Sequence, residues 1–488
     1  MIRLSPARAH ALACLLRAER EGRFVREVAE SMPRKPEDPR DAALALRLAL
    51  GATAAAGTLD ELLDRYIAKP RAVKLPVRLA LRISAFELLY LKTPARVAVS
   101  QGVELVRGQA KSAAGMANAV LRRVADACDS FLAAEDIAAG VLRDHTALAR
   151  RAGLPAWLAE AIISSLGERC AQTLFDAQLE PAPVYVHLNP RLSPEGEDVS
   201  AGQGPTDEPG ADAVAPMLPG LMQPADISSF IRSGALNRAD AVASDAAAQL
   251  IATAATAPGS CLEIGAGRGT KTFIMCAQAG RLGWAHSHTA LDLSARKCEL
   301  NLERLHAAGL DGEVRCVAGD GCVVDAVLAD IDAAAGERVL FDRVFVDAPC
   351  SGTGTMRRHP EISWRLDAAD VAYEGALPRL QLALLRAAAS RVAEDGELVY
   401  ATCSVLASEN QAVVDAFLAS SEGAAFRLVP VHEAQALSAF ADACGVGCSA
   451  TTFARSHEDD RGRFQTVPAP EACDGHFCAR MVRRSASC

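Results

Sequence analysis

The spacing of apolar residues changes along the chain. Residues 4–128 carry apolar positions three and four apart and almost no alternating run, which predicts helices over 7–19, 39–54, 59–67, 76–91, 97–107 and 113–127. Pro76 suits a first helical turn, where its missing N–H is no loss, and Val77, Leu81, Leu88 and Leu89 then form an apolar stripe. These elements predict a helical bundle over 1–128, followed by a helical linker over 129–183 in which LPAWL, 154–158, opens a helix.

An alternating run, VYVHLNP at 184–190, leads into a stretch over 191–219 rich in Pro, Gly and Asp, without period. Residues 184–240 are therefore read as a small connecting subdomain with an irregular insertion. Order returns at 241. A helix over 246–255, a strand over 260–264, the turn Gly265-Ala266-Gly267-Arg268-Gly269 and a helix from Thr270 form the opening unit of a doubly wound sheet. Further strands are expected over 290–293, 313–318, 344–346 and 397–402, with a helix over 406–418. Residues 241–488 thus read as a Rossmann-like α/β domain, and the chain as multidomain.

Charge sharpens this division. Residues 1–128 hold 22 Lys+Arg against 13 Asp+Glu, a balance of +9, whereas the whole chain carries −9. A basic module on an acidic body suggests attraction of a nucleic-acid backbone. No apolar run reaches the roughly 18 residues of a membrane span, and the amino-terminal segment has Arg scattered through it, so a cytoplasmic protein with no membrane partner is expected. The 15 Cys residues are odd in number and widely spread, so reduced thiols are expected. Cys444 and Cys448, followed by Cys473 and Cys478, lack the two-residue spacing of zinc ribbons, and no metal site is expected.

The candidate chemistry lies at the strand ends. The strand before Asp347-Ala348-Pro349-Cys350 delivers a carboxylate and a thiol to the edge where open α/β sheets bind ligands, and the strand before Cys403-Ser404 delivers a second thiol. A helix starting just beyond Cys403 would favour its thiolate. The loop after Cys350 is Gly-rich, then basic at Arg357, Arg358 and His359, and would suit an anionic substrate. Asp292 and Asp320 end two other strands, Asp292 about where such folds place a carboxylate on ribose hydroxyls. With no Walker-type phosphate loop, a ribose-bearing or cationic cofactor such as S-adenosylmethionine suits these acidic tips.

Two resemblances follow. LRISAFELLYL at 81–91, VAVSQGVELVRG at 97–108 and AAGMANAVLRRV at 113–124 resemble the NusB-like RNA-binding domain. DAPCSGTG with RRHPEI, then Leu377-Pro378, Leu380-Gln381, YATCS with Glu409-Asn410, and Asp474-Gly475-His476-Phe477 resemble the RNA cytosine-5 methyltransferases. The whole chain resembles the bacterial members with a fused NusB-like domain, which implies 16S ribosomal RNA, naked or in an early small-subunit particle, as the partner. The resemblance implies Cys403 as nucleophile, Cys350 as the group assisting release and Asp347 at the pyrimidine N3 edge. It also implies a cofactor site of Gly265, Ala266, Gly267, Arg268, Gly269, Lys271, Asp292, Asp320 and Asp347. The glycine turn departs from the family's Ala-Ala-Pro-Gly-Gly-Lys-Thr, with Arg268 at the Pro position and Glu263 at an Asp position. The reverse assignment of the two cysteines, a non-catalytic RNA-binding assembly factor, and methylation of another RNA such as tRNA stay open at this point.

Overall fold

The computed structural model describes residues 4–133, 145–192, 218–444 and 449–484. It divides into two compact units, Met1–Pro181 with Met356–Ala368, and Ala182–Thr355 with Ala369–Cys488.

The first unit is helical: α1 (Pro6–Glu21), α2 (Val25–Glu30), α3 (Pro39–Ala54), α4 (Ala56–Asp64), α5 (Leu75–Leu89), α6 (Ala95–Gln109), α7 (Ala114–Leu132), α8 (His145–Ala152) and α9 (Ala156–Ala177). Pro76 stands in the first turn of α5, as its missing N–H allows. Leu48, Leu59, Leu62, Leu63 and Phe86 are wholly buried in one core. Six-residue α2 has too short a period to be read from sequence. The segment Met356–Ala368 packs within this unit: the Trp364 indole N–H donates to the Ala54 carbonyl at 2.6 Å, and the His359 ring lies 5.5 Å from Phe24. The basic stretch that would suit an anionic substrate thus belongs to the helical unit. Arg357 is buried and His359 is packed on an aromatic ring within the helical unit.

In the second unit a small antiparallel sheet joins β1 (Val186–Leu188), β2 (Leu221–Met222) and β3 (Ala241–Ala243) in the order β2-β1-β3. Most of the 191–219 stretch lies outside the described residues. The main sheet comprises β4 (Gly259–Ile264), β5 (His286–Asp292), β6 (Val314–Ala318), β7 (Phe341–Asp347), β8 (Val392–Thr402), β9 (Phe426–Val429), β10 (Phe464–Gln465) and β11 (Phe477–Arg483). Its order is β10-β11-β8-β7-β4-β5-β6, with β9 also on β11. Strands β4 to β8 pair in parallel, and β11 adds antiparallel to β8.

The chain winds from β4 outward through β5 and β6, then returns to the other side of β4 for β7 and β8. Order therefore reverses between β4 and β7, and ligands of open α/β sheets bind at such a point. A buried ion triad, Arg343 and Arg480 on either side of Glu397, ties β7, β8 and β11 together. Among the described residues no single helix is long and apolar enough to cross a membrane, though the bent pair α3 and α4 passes by length and composition.

Candidate active site

The carboxyl ends of β4, β7 and β8 bring three loops together. Gly265 leaves β4 with φ 88°, and a Cβ there would stand 2.2 Å from the Asp347 carbonyl oxygen, so only glycine lets the turn pass beside β7. The turn then enters the helix Thr270–Arg281, whose second residue, Lys271, reaches the end of β7. Its ammonium donates to Asp347 Oδ2 at 2.6 Å. Burial pulls the Lys271 pKa down, but Asp347, then Cys403 and Glu263, overcome this and raise it above the ordinary lysine value.

Cys350 and Cys403 face each other with their sulfurs 2.9 Å apart, and the Cys403 backbone N–H donates to Cys350 Sγ at 3.2 Å. The hydrogen bond between the thiols splits their acidities. The Cys350 thiol is pushed well up by that bond and by burial, with Cys403 and Glu409 adding to the shift. Cys403 is moved down, first by the hydrogen bond from Cys350 and further by the Lys271 charge, against burial and Asp347. Cys403 is thus the sulfur that ionises first.

This acidity does not come from a helix terminus. The helix expected over 406–418 begins only at Gln411, because Ser404, Glu409 and Asn410 bind the intervening chain in a non-helical loop. Glu409, fully buried, accepts from Ser351 N at 2.8 Å, Ser351 Oγ at 2.5 Å, Ser404 Oγ at 2.6 Å and Gln381 Nε2 at 2.9 Å. Thr353 Oγ1 lies 3.1 Å from Ser404 Oγ and accepts from Val405 N at 3.1 Å. The loops carrying the two cysteines are therefore joined through one carboxylate. Ser351, Thr353 and Ser404 were missed as site residues. A signal was present in the repeated Cys-Ser dipeptide at two strand ends.

The remaining candidate residues line the same sheet edge. Asp292, ending β5, accepts from Gly267 N through Oδ2 and from Ser294 N through Oδ1, both at 2.9 Å. Asp320, two residues past the end of β6, is exposed and accepts from Cys322 N at 2.9 Å. Ala266 is buried, whereas the Arg268 side chain is exposed and only its carbonyl is engaged, by Arg304 at 2.8 Å. The sheet edge thus gathers two contacting pairs, Lys271 with Asp347 and Cys350 with Cys403, and sets the glycine turn and Asp292 on the same edge. Of the cysteines weighed as metal ligands, Cys448 lies outside the described residues, while Cys473 and Cys478 are buried.

The residues fit S-adenosylmethionine. A glycine turn whose close passage excludes a side chain, together with carboxylates at successive strand ends, can hold a ribose and a cationic sulfonium without a phosphate site.

Comparison with known proteins gives the same assignment. The model of the family described as 16S rRNA methyltransferase RsmB/F matches residues 253–482, and that of the NusB family matches 5–126. Ribosomal RNA small subunit methyltransferase B of Thermus thermophilus is 31% identical over 422 residues, covering 86% of this chain and 88% of that protein. The protein of the same name from Xanthomonas campestris is 31% identical over 468 residues, covering 92% and 90%. The crystal structure of PH0851 shares the fold, with a TM-score of 0.67 across 99% of both chains at 19% identity. Relatives matched so fully show that the chain belongs to the 16S rRNA methyltransferase RsmB/F family, which depends on S-adenosylmethionine, with a NusB-family domain preceding the methyltransferase fold.

Proposed function

We propose that this protein methylates carbon 5 of a cytosine in 16S ribosomal RNA, in the cytoplasm, through a covalent bond between Cys403 and the base. The observation that carries this reading is the pair of facing sulfurs at the ends of β7 and β8, on the edge that also holds the Lys271–Asp347 pair.

Carbon 5 of cytosine is a poor nucleophile until a thiolate adds at carbon 6. The Cys403 sulfur forms the S–C6 bond as the C5=C6 double bond opens, leaving an electron-rich C5. Charge that spreads to N3 is met by a proton that the Lys271 ammonium passes through Asp347, to whose Oδ2 it is hydrogen-bonded, and that returns when the ring is restored. Gly265 to Gly269, Asp292, Asp320 and Lys271 would hold S-adenosylmethionine, which would supply an electrophilic methyl group. Once C5 is methylated, the C5 proton passes to water, the C5=C6 bond re-forms as the S–C6 bond breaks, and Cys350, a neutral thiol beside Cys403 Sγ, assists release by hydrogen-bonding the departing thiolate. The target base must be unstacked to reach these groups, which is least costly in a loop or a partly open RNA. The basic balance of residues 1–128 suits the RNA backbone.

Nucleoside analysis of 16S RNA from cells lacking the protein tests this. Loss of one 5-methylcytidine, restored by the parent gene and not by Cys403→Ala, is expected. An unchanged 5-methylcytidine content would refute it.

A further inference from the structure

At the start of β5, away from the thiols, a second cluster of ligating side chains is assembled. His286 and His288 alternate along the strand and so share one face, and Cys276 comes to that face from the helix Thr270–Arg281. The donor atoms of Cys276, His286 and His288 all lie within 4.8 Å of one another. Cys276 and His288 are buried, and His286 is half-buried at the open side. Six residue steps along the strand, roughly 20 Å at about 3.3 Å each, separate His286 from the Asp292 tip.

The hydrogen bonds around the rings fix what each nitrogen can do. His286 Nδ1 lies 2.8 Å from the Ala257 carbonyl, which only accepts, so Nδ1 bears the proton and Nε2 presents a lone pair. His288 Nε2 lies 2.9 Å from Glu263 Oε2, a carboxylate oxygen that also receives the Thr272 hydroxyl at 2.6 Å. That leaves His288 Nδ1 facing His286 Nε2 at 3.1 Å. In metal sites the non-ligating ring nitrogen is typically held this way by a carboxylate or carbonyl, which orients the other nitrogen. Two lone pairs at this distance repel unless a proton or a cation lies between them. Tetrahedral zinc, with Zn–N of about 2.0–2.1 Å, needs its nitrogens about 3.3 Å apart, a few tenths of an ångström beyond the spacing here.

We propose that Cys276 Sγ, His286 Nε2 and His288 Nδ1 bind a soft divalent cation of the zinc class as a structural clip between β5 and the helix that carries Lys271. A solvent molecule on the half-buried His286 side would fill the fourth position of a tetrahedral site. Binding releases two protons to solvent, the Cys276 thiol proton and the one shared between the two rings in the metal-free protein, and zinc neither gains nor loses electrons.

The test is cobalt(II) and zinc titration of the full-length, metal-stripped protein, with bound metal counted after gel filtration. The facing thiols Cys350 and Cys403 are a competing soft site, so the double variant Cys350→Ser/Cys403→Ser is titrated in parallel. One retained equivalent is expected in the parent and in this double variant, with a thiolate-to-cobalt charge-transfer band. Cys276→Ser should abolish the band, and His286→Gln should weaken retention at least tenfold. Three outcomes would each overturn the proposal: no retained metal in the parent, which would leave a bridging proton between the rings; retention undiminished in Cys276→Ser and His286→Gln; or loss confined to the double variant.

Discussion

Replacing Glu409 with alanine removes the joint between the two cysteine loops. Four donors now end on its carboxylate, namely Ser351 N, Ser351 Oγ, Ser404 Oγ and Gln381 Nε2. A buried donor left without a partner costs about 1–3 kcal/mol. The two hydroxyls can turn to each other or to Thr353, so the losses do not add, and about 3–5 kcal/mol is expected overall, as for breaking other buried charged networks. At about 2–4 °C per kcal/mol for a large domain, the transition of the methyltransferase unit should fall by roughly 6–20 °C. Glu409→Gln keeps one oxygen for Ser351 N and Gln381 and turns an amide N–H toward hydroxyls that can accept, so about 1–2 kcal/mol is expected. Because Ser351 and Ser404 each adjoin a site cysteine, the alanine variant should also lose roughly a hundredfold in kcat, the scale of a 1 Å misplacement. S-adenosylmethionine affinity should hold, since the glycine turn and Asp292 are untouched. Circular dichroism melts, single-turnover methylation and calorimetry read these three quantities. A Glu409→Ala protein melting within about 2 °C of the parent, or a glutamine variant worse than the alanine one, would refute the reasoning.

Further outcomes follow from the same geometry. Cys403 is more acidic than an ordinary thiol chiefly because Cys350 donates to it, so its thiolate is present at lower pH. In Cys350→Ala the pH at which Cys403 is half-alkylated, followed by peptide mass spectrometry, should rise, and a fall would contradict the assigned donor. Gly354 packs so that a Cβ would stand 1.9 Å from the Gly475 carbonyl oxygen; Gly354→Ala should therefore impair methylation while cofactor binding persists, and full activity would argue against the packing. Glu397→Leu leaves Arg343 and Arg480 buried without their shared carboxylate, for about 3–5 kcal/mol of lost stability in denaturant melts; a loss below about 1 kcal/mol would refute this. Arg122 and Arg123 are exposed on α7, and replacing both with alanine should lower the slope of RNA affinity against salt by about 1.5, whereas an unchanged slope would remove them from the RNA surface.

What the sequence revealed depended on range. Helices α3 and α5 and strands β4 and β6 were readable because their periods are local, and the acidic and thiol strand ends because a polar residue closing an apolar run is visible without partners. The antiparallel edge formed by β9, β10 and β11 was not readable. It depends on pairing between segments as distant as Phe477 and Thr402, which no local period encodes. The helix after Cys403 was placed early because Val405 and Leu406 extend its apolar pattern, whereas side-chain bonds from Ser404 and Asn410 hold that stretch as a loop. Likewise Arg357, Arg358 and His359 resembled a ligand loop by charge, and only tertiary packing assigns them to the helical unit.

The most direct measurement is a denaturing gel of the parent, Cys350→Ala and Cys403→Ala proteins after incubation with 16S RNA and S-adenosylmethionine. With Cys403 as attacking sulfur and Cys350 needed for release, Cys350→Ala should accumulate a slow-migrating RNA adduct and Cys403→Ala none. An adduct in Cys403→Ala and none in Cys350→Ala would contradict the account.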